Sequence, residues 1–129
     1  MLSHSDVLCC TPDKRGVLRA CRRVARHGAR MGFTVIALAP SLTDSERRNA
    51  IASGPRFIDS PDDYAVLLGQ SGWCLQERID LTTEFLHSMR TELGGMQLRG
   101  DALARVLGSD ALTERMQRRQ ATIAAADAG

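Results

Sequence analysis

The stretch "ACRRVARHGARMGFTVIALAP", residues Ala20 to Pro40, decides how the chain is read. Its first part continues a helical pattern in which Val17, Leu18, Cys21, Val24 and Ala25 fall on one apolar stripe. Arginines crowd the last turns, where the helix dipole favours cations, and Gly28 is the expected left-handed stop. "RMGFTVIALA" then reads as a buried strand, rich in β-formers from Phe33 to Ile36. Upstream, "DVLCC" (Asp6 to Cys10) is a short apolar run between turn-like residues, which suits a strand buried on both faces. Thr11 can cap the intervening helix, with Pro12 at its first position and Asp13 adding negative charge to the first turn. The first forty residues therefore read strand–helix–strand, and a crossover of that length implies parallel neighbours.

Outward from this unit, "TDSERRNAIASGP" carries a capping box, Thr43 with Glu46, and ends at Gly54 and Pro55. "SPDDYAVLLGQSGW" repeats the device, with Ser60 as cap, Pro61 at the first position and Gly72 closing. In "CLQERIDLT", Leu75, Glu77, Ile79 and Leu81 alternate with Gln76, Arg78 and Asp80, the pattern of a half-exposed edge strand. From Thr82 onward the signal is helical. Leu86, Met89 and Leu93 form one stripe, Leu103, Val106 and Leu107 a second, and Leu112, Met116 and Ile123 a third. "GGMQLRG" is the most flexible-looking segment, and the Ala-rich tail is expected to fray.

Composition narrows the classes. Hydrophobic residues make up 43% and charged residues 25% of 129, ordinary values for one globular domain. A formal charge of +2 argues for neither nucleic acid nor an anionic membrane. Nearly all the positive charge is arginine, and Lys14 is the only lysine. Cys9, Cys10, Cys21 and Cys74 lack C-x-x-C spacing, and His4, His27 and His87 are scattered, so reduced thiols are expected and a zinc site is not. "SHSD" beside Cys9 is no catalytic arrangement, since neighbours in sequence seldom align for nucleophilic attack. Arg115, Arg118 and Arg119 lack interleaved aromatics and read as a solvated face; Tyr64 and Trp73 read as core or half-buried rather than as a stacking platform. With no basic leader and no apolar run of about 20 residues, neither a signal peptide nor a membrane span is expected, and the cytoplasm is the expected compartment.

The ordered segments resemble the second half of class I S-adenosylmethionine-dependent methyltransferases. Arg23, Val24, Gly28 and the pair Phe33–Thr34 match that family's turn and following strand. "DDYAVLLGQSGWCLQERIDLT" is similar to its helix, turn and strand closing on aspartate and threonine, and "ERMQRRQATIAAADAG" to a long helix before its final strand. The resemblance implies an α/β fold: a partial Rossmann-like sheet of about three mostly parallel strands, flanked by helices, with a helical C-terminal segment. It implies one partial domain over 1–129, its strand–helix–strand region with an edge strand at 1–81 and its helical segment at 82–129. It further implies methyl transfer from S-adenosylmethionine to a small-molecule acceptor. Cys10 and Thr11 would then lie nearest the cofactor, and Ala37 and Ala39 nearest the acceptor, beyond the carboxyl ends of the strands.

The family's Gly-x-Gly turn is absent, and Asp6 and Asp80 do not stand where a ribose-binding acid would. The chain is thus expected to be a fragment with little cofactor binding alone. A complementary N-terminal half or a second copy is an implied partner. A different reading of the same residues is a non-catalytic interaction module, docking on a partner or on itself through an exposed sheet edge.

Overall fold

A computed structural model describes residues 1–128. The order of elements is β1 (Leu2–Ser5), a single 3₁₀ turn (Leu8–Cys10), α1 (Lys14–Val24), β2 (Met31–Thr34), α2 (Asp44–Ser53), α3 (Tyr64–Gln70), α4 (Thr82–Leu98), α5 (Gly100–Leu107) and α6 (Ser109–Ala128). The expected three-stranded Rossmann-like sheet is not formed: the chain is 59% helix and 6% strand, and the one sheet among the described residues has two strands.

Three local facts explain the correction. Leu8 and Cys9 are consecutive and both fully buried, which a 3₁₀ turn under the core achieves without any strand over Asp6 to Cys10. The strand lies just upstream instead, in "LSHS", where Leu2 and His4 are half-buried and Ser3 and Ser5 exposed. Asp6, at φ 53, turns the chain out of it. The second strand stops at Thr34 rather than continuing through Ala39. Residues 75–81 alternate in sequence but form no strand; Leu75, Ile79 and Leu81 are all exposed, Ile79 by 65%. Alternation yields a strand only where a neighbour accepts its backbone.

Helix ends also shift. Asp13, not Thr11, caps α1, its carboxylate accepting from Gly16 N–H at 2.7 Å. A Cβ on Gly16 would stand 2.0 Å from the Asp13 carboxylate, so glycine here keeps the cap seated. The helix ends at Val24, which is 75% exposed and off the core stripe, while Gly28 takes its left-handed φ of 74 in the following turn. The Thr43–Glu46 capping box of α2 is present with both reciprocal bonds. Asp63 caps α3 in place of Ser60. "GGMQLRG" belongs to the end of α4 and the start of α5, and the Ala-rich tail is helical through Ala128.

The chain divides into two compact units. The first comprises 1–38 and 55–78. In it β1 and β2 pair in parallel, Leu2 opposite Met31 and Ser5 opposite Thr34. Leu8, Leu18, Tyr64, Leu67 and Leu68 form its core, with Val17, Met31, Phe33, Val35 and Trp73 packed against them. The Trp73 indole donates to Leu18 O at 3.0 Å, and the Arg22 guanidinium lies 5.6 Å above its ring.

The second unit comprises 39–54 and 79 onward, and is helical. α6 packs on α2, α4 and α5. Ala50, Met96 and Leu112 are buried there, while Val106 and Leu107 of the expected second stripe are exposed, Val106 by 82%. Arg119 bridges α6 to α4, bonding the Glu92 carboxylate at 2.6 Å, and Arg90 pairs with Asp127 at 2.6 Å. Among the described residues no helix is long and apolar enough to cross a membrane.

Candidate functional site

In parallel sheets ligands gather beyond the carboxyl ends of the strands. In the first unit that position holds a cluster of three polar side chains. The Ser5 and Thr34 hydroxyls, at the ends of β1 and β2, lie 2.8 Å apart, and the Asp6 carboxylate accepts from each at 3.3 Å. The backbone binds this corner as well, Asp6 N–H donating to Thr34 O at 3.0 Å. All three residues are exposed. The left-handed backbone of Asp6 is a conformation asparagine and aspartate adopt more readily than other non-glycine residues.

Below the cluster the chain enters the 3₁₀ turn. The Cys9 thiol is fully buried and donates to Asp6 O at 3.2 Å. Burial pushes it above the ordinary thiol range, with the Ile36 N–H opposing and the Cys10 thiol and Asp6 adding to the rise. Lys14, 3% exposed, occupies the first position of α1. Its ammonium donates to the carbonyls of Phe57 at 2.5 Å, Asp59 at 3.2 Å and Thr11 at 3.3 Å. Desolvation lowers its pKa, while Cys9, Asp59 and Cys10 favour the charged form. Three donors meeting three backbone acceptors make this amine a structural pin between α1 and residues 57–59.

Cys10 is exposed at the end of the 3₁₀ turn, and Thr11 is half-buried in extended backbone, its carbonyl held by Lys14. Both follow the carboxyl end of β1. Ala37 is exposed in the first unit, whereas Ala39 is half-buried and belongs to the second. Cys10 and Thr11 are neighbours in sequence, while Ala37 and Ala39 fall in different units. Of Ser5, Asp6, Thr34 and Lys14, the sequence reading weighed Ser5 and Asp6 within "SHSD" and set them aside, and gave Thr34 and Lys14 no site role. The one available signal was Lys14: a single lysine in an arginine-rich chain marks a place where a compact ammonium fits and a guanidinium does not.

Two other features are open to partners. Leu2 N–H donates to Arg30 O and Asp6 N–H to Thr34 O, so the even-numbered residues of the two strands direct their backbones at each other. Met31 and Phe33 consequently direct theirs to the outer edge of β2, where no third strand lies among the described residues. In the second unit, a groove of about 590 Å³ runs between α2 and α6, floored by Ala52, Ala121 and Ala125 and flanked by Glu46 and Arg118. Among the described residues no group of three histidine, cysteine or carboxylate side chains is placed to hold a metal.

No family model, curated protein or solved structure matches this chain. The likeness to methyltransferases therefore stands on the quoted sequence segments alone.

Proposed function

We propose that the chain is an interaction module, and that it docks on a second copy of itself through the outer edge of β2. The open backbone edge of Met31 and Phe33 in β2 carries this reading, and pairing would extend the strand through Val35. An isolated two-stranded sheet is marginal in water, and parallel pairs are ordinarily covered; a two-fold pairing of β2 on β2 makes four strands. With Phe33 opposite its own copy, Met31 faces Val35 and Arg30 faces Ile36, so no like charges meet. The side chains of Met31, Phe33 and Val35 already pack on the core, so both copies would present their apolar residues on one face. Light scattering coupled to size exclusion tests it. A dimer dissociating on dilution supports the module, and a clean monomer at millimolar concentration overturns it.

A second reading is methyl transfer from S-adenosylmethionine to a small-molecule acceptor, and one observation favours it. β1, α1 and β2 form a parallel crossover unit, with Cys10 and Thr11 following the end at which such units take ligands. Methyl transfer requires alignment of donor and acceptor and exclusion of water more than any acid or base on the protein. Isothermal titration with S-adenosylmethionine separates the readings: micromolar binding supports transfer, and no heat at millimolar ligand removes it.

A further inference from the structure

Between Asp13 and Asp44 the chain carries no acidic residue, while arginine recurs at Arg15, Arg19, Arg22, Arg23, Arg26 and Arg30. Two of these are engaged within the first unit. Arg15 pairs with Asp62 at 3.2 Å, and Arg22 lies over Trp73 and donates to Gly72 O at 3.1 Å. Arg19, Arg23, Arg26 and Arg30 are exposed, and among the described residues their side chains have no ion pair or hydrogen bond. Arg19 and Arg23 share the outward face of α1, about 6 Å apart along its axis, with Leu18 buried on the other side. Like charges at that spacing repel and weaken a helix. The helix dipole favours Arg23 in the last turn, but reaches neither Arg19, a turn earlier, nor Arg30, beyond the following loop.

The aspartates of the unit gather at its other end. Asp13 and Asp63 cap the starts of α1 and α3, and the Arg15–Asp62 pair joins those same ends. The bond from Arg22 to Gly72 O joins the far ends, so the two helices run parallel. Each of these carboxylates is engaged where it stands, and none answers the arginines that run from the middle of α1 to the start of β2. The formal charge of +2 on the whole chain conceals this separation. We infer that Arg19, Arg23, Arg26 and Arg30 form a docking surface for the phosphate backbone of a nucleic-acid duplex.

Arrangement and surroundings select this partner. The four arginines are strung along the last turns of α1 and the loop to β2, which suits a line of anions and not one small ion. A duplex supplies such a line, with one negative charge per about 1.7 Å of its axis. A single strand is held by stacking its bases on aromatic rings. Here Trp73 lies under Arg22, and Phe33 and Tyr64 pack in the core. An acidic peptide is held by apolar anchors as much as by charge, and Val24 is the one large apolar side chain exposed among the arginines. Dense positive charge on a polar surface is the character of protein–nucleic-acid interfaces. Contacts to phosphates carry no base preference, so docking is independent of sequence.

The test is fluorescence anisotropy of a short labelled DNA duplex, titrated with the full chain at several salt concentrations. Four neutralised phosphates give a slope of about −3.6 in log K against log salt, a weakening of about a hundredfold between about 50 and 200 mM. Arg19→Gln and Arg23→Gln should each make the slope shallower by about 1, equally on duplexes of unrelated sequence. Arg105→Gln, at an exposed arginine of the second unit, should leave it unchanged. All three positions are exposed, and circular dichroism read before titration shows that the comparison is among folded proteins. An equal loss from Arg105→Gln would trace the binding to diffuse charge and overturn the proposal. Poly-L-glutamate bound as tightly as the duplex at matched charge would overturn it in favour of an acidic protein segment. No anisotropy change with millimolar chain at the lowest salt would overturn it outright.

Discussion

The ammonium of Lys14 lies 2.5 Å from the carbonyl oxygen of Phe57, forty-three residues away along the chain. It also bonds the carbonyls of Asp59 and Thr11. Residues 55–59 have no regular structure beyond a turn, so the lysine holds a loop onto the start of α1 where no sheet or helix could. Lys14→Met keeps the aliphatic stem and removes all three donors. Carbonyls left without a partner cost about 1–3 kcal/mol apiece when they stay dry, and less where water reaches them. The expected loss on urea unfolding is about 2 kcal/mol. A change smaller than about 0.5 kcal/mol, the scatter of ordinary surface substitutions, would show the pin to be idle.

Asp13 and Gly16 form a second coupled pair, and here the sign of a substitution depends on its partner. Alanine in place of an exposed helical glycine gains about 1 kcal/mol. At position 16 the added Cβ meets the carboxylate that caps the helix, so the cap must move and a comparable stabilisation is lost. Gly16→Ala alone should therefore leave stability nearly unchanged. In an Asp13→Ala background the same substitution should stabilise by about 1 kcal/mol. Additive effects across the cycle would contradict the contact.

These two pairs show which parts of the fold were legible. Local chemistry was readable where it is self-contained. Thr43 and Glu46 satisfy each other within one turn, so their capping box stands as the spacing predicts. The first strand was misplaced because an apolar run of four residues suits a buried turn as well as a buried strand. Leu8 and Cys9 are buried by what packs over them, not by alternation. The polar "LSHS" was passed over because its half-buried histidine has no apolar signature. Residues 75–81 failed for the opposite reason: the alternation is present and the neighbouring strand is not. The Lys14 pin was invisible because its acceptors are backbone carbonyls, which no residue type announces.

His4 should make the first unit sensitive to acid. It stacks on Phe33 with ring centroids 4.9 Å apart, and both ring nitrogens are buried without a partner. Desolvation lowers its pKa from the ordinary 6.5, so the folded state prefers the neutral ring. A group whose folded pKa is depressed binds its proton more readily when unfolded. Its contribution is present above pH 6.5 and is lost as pH falls through the folded pKa. His4→Phe retains a stacking ring and removes the proton site. The stability gap between the two proteins, followed by fluorescence of Trp73 in the same unit, should widen in favour of the variant from pH 7 to pH 5. Parallel curves over that range would mean that the ring is solvated.

The β2 edge makes a prediction of charge. In the proposed two-fold pairing Ile36 of each copy faces Arg30 of the other, so a substitution at one position acts twice per dimer. Ile36→Arg sets two arginines against two arginines, each pair repelling by up to about 1 kcal/mol across adjacent strands. The dimer should weaken about tenfold, which corresponds to about 1.4 kcal/mol. Ile36→Glu sets opposite charges face to face and should strengthen association, with the difference between variants shrinking as salt screens the pairs. Position 36 is half-buried, and both substitutions change its side chain alone. Dissociation constants from sedimentation of the two variants decide the register. Equal weakening by both charges would place the contact elsewhere, because desolvation opposes either sign whereas pairing with Arg30 distinguishes them.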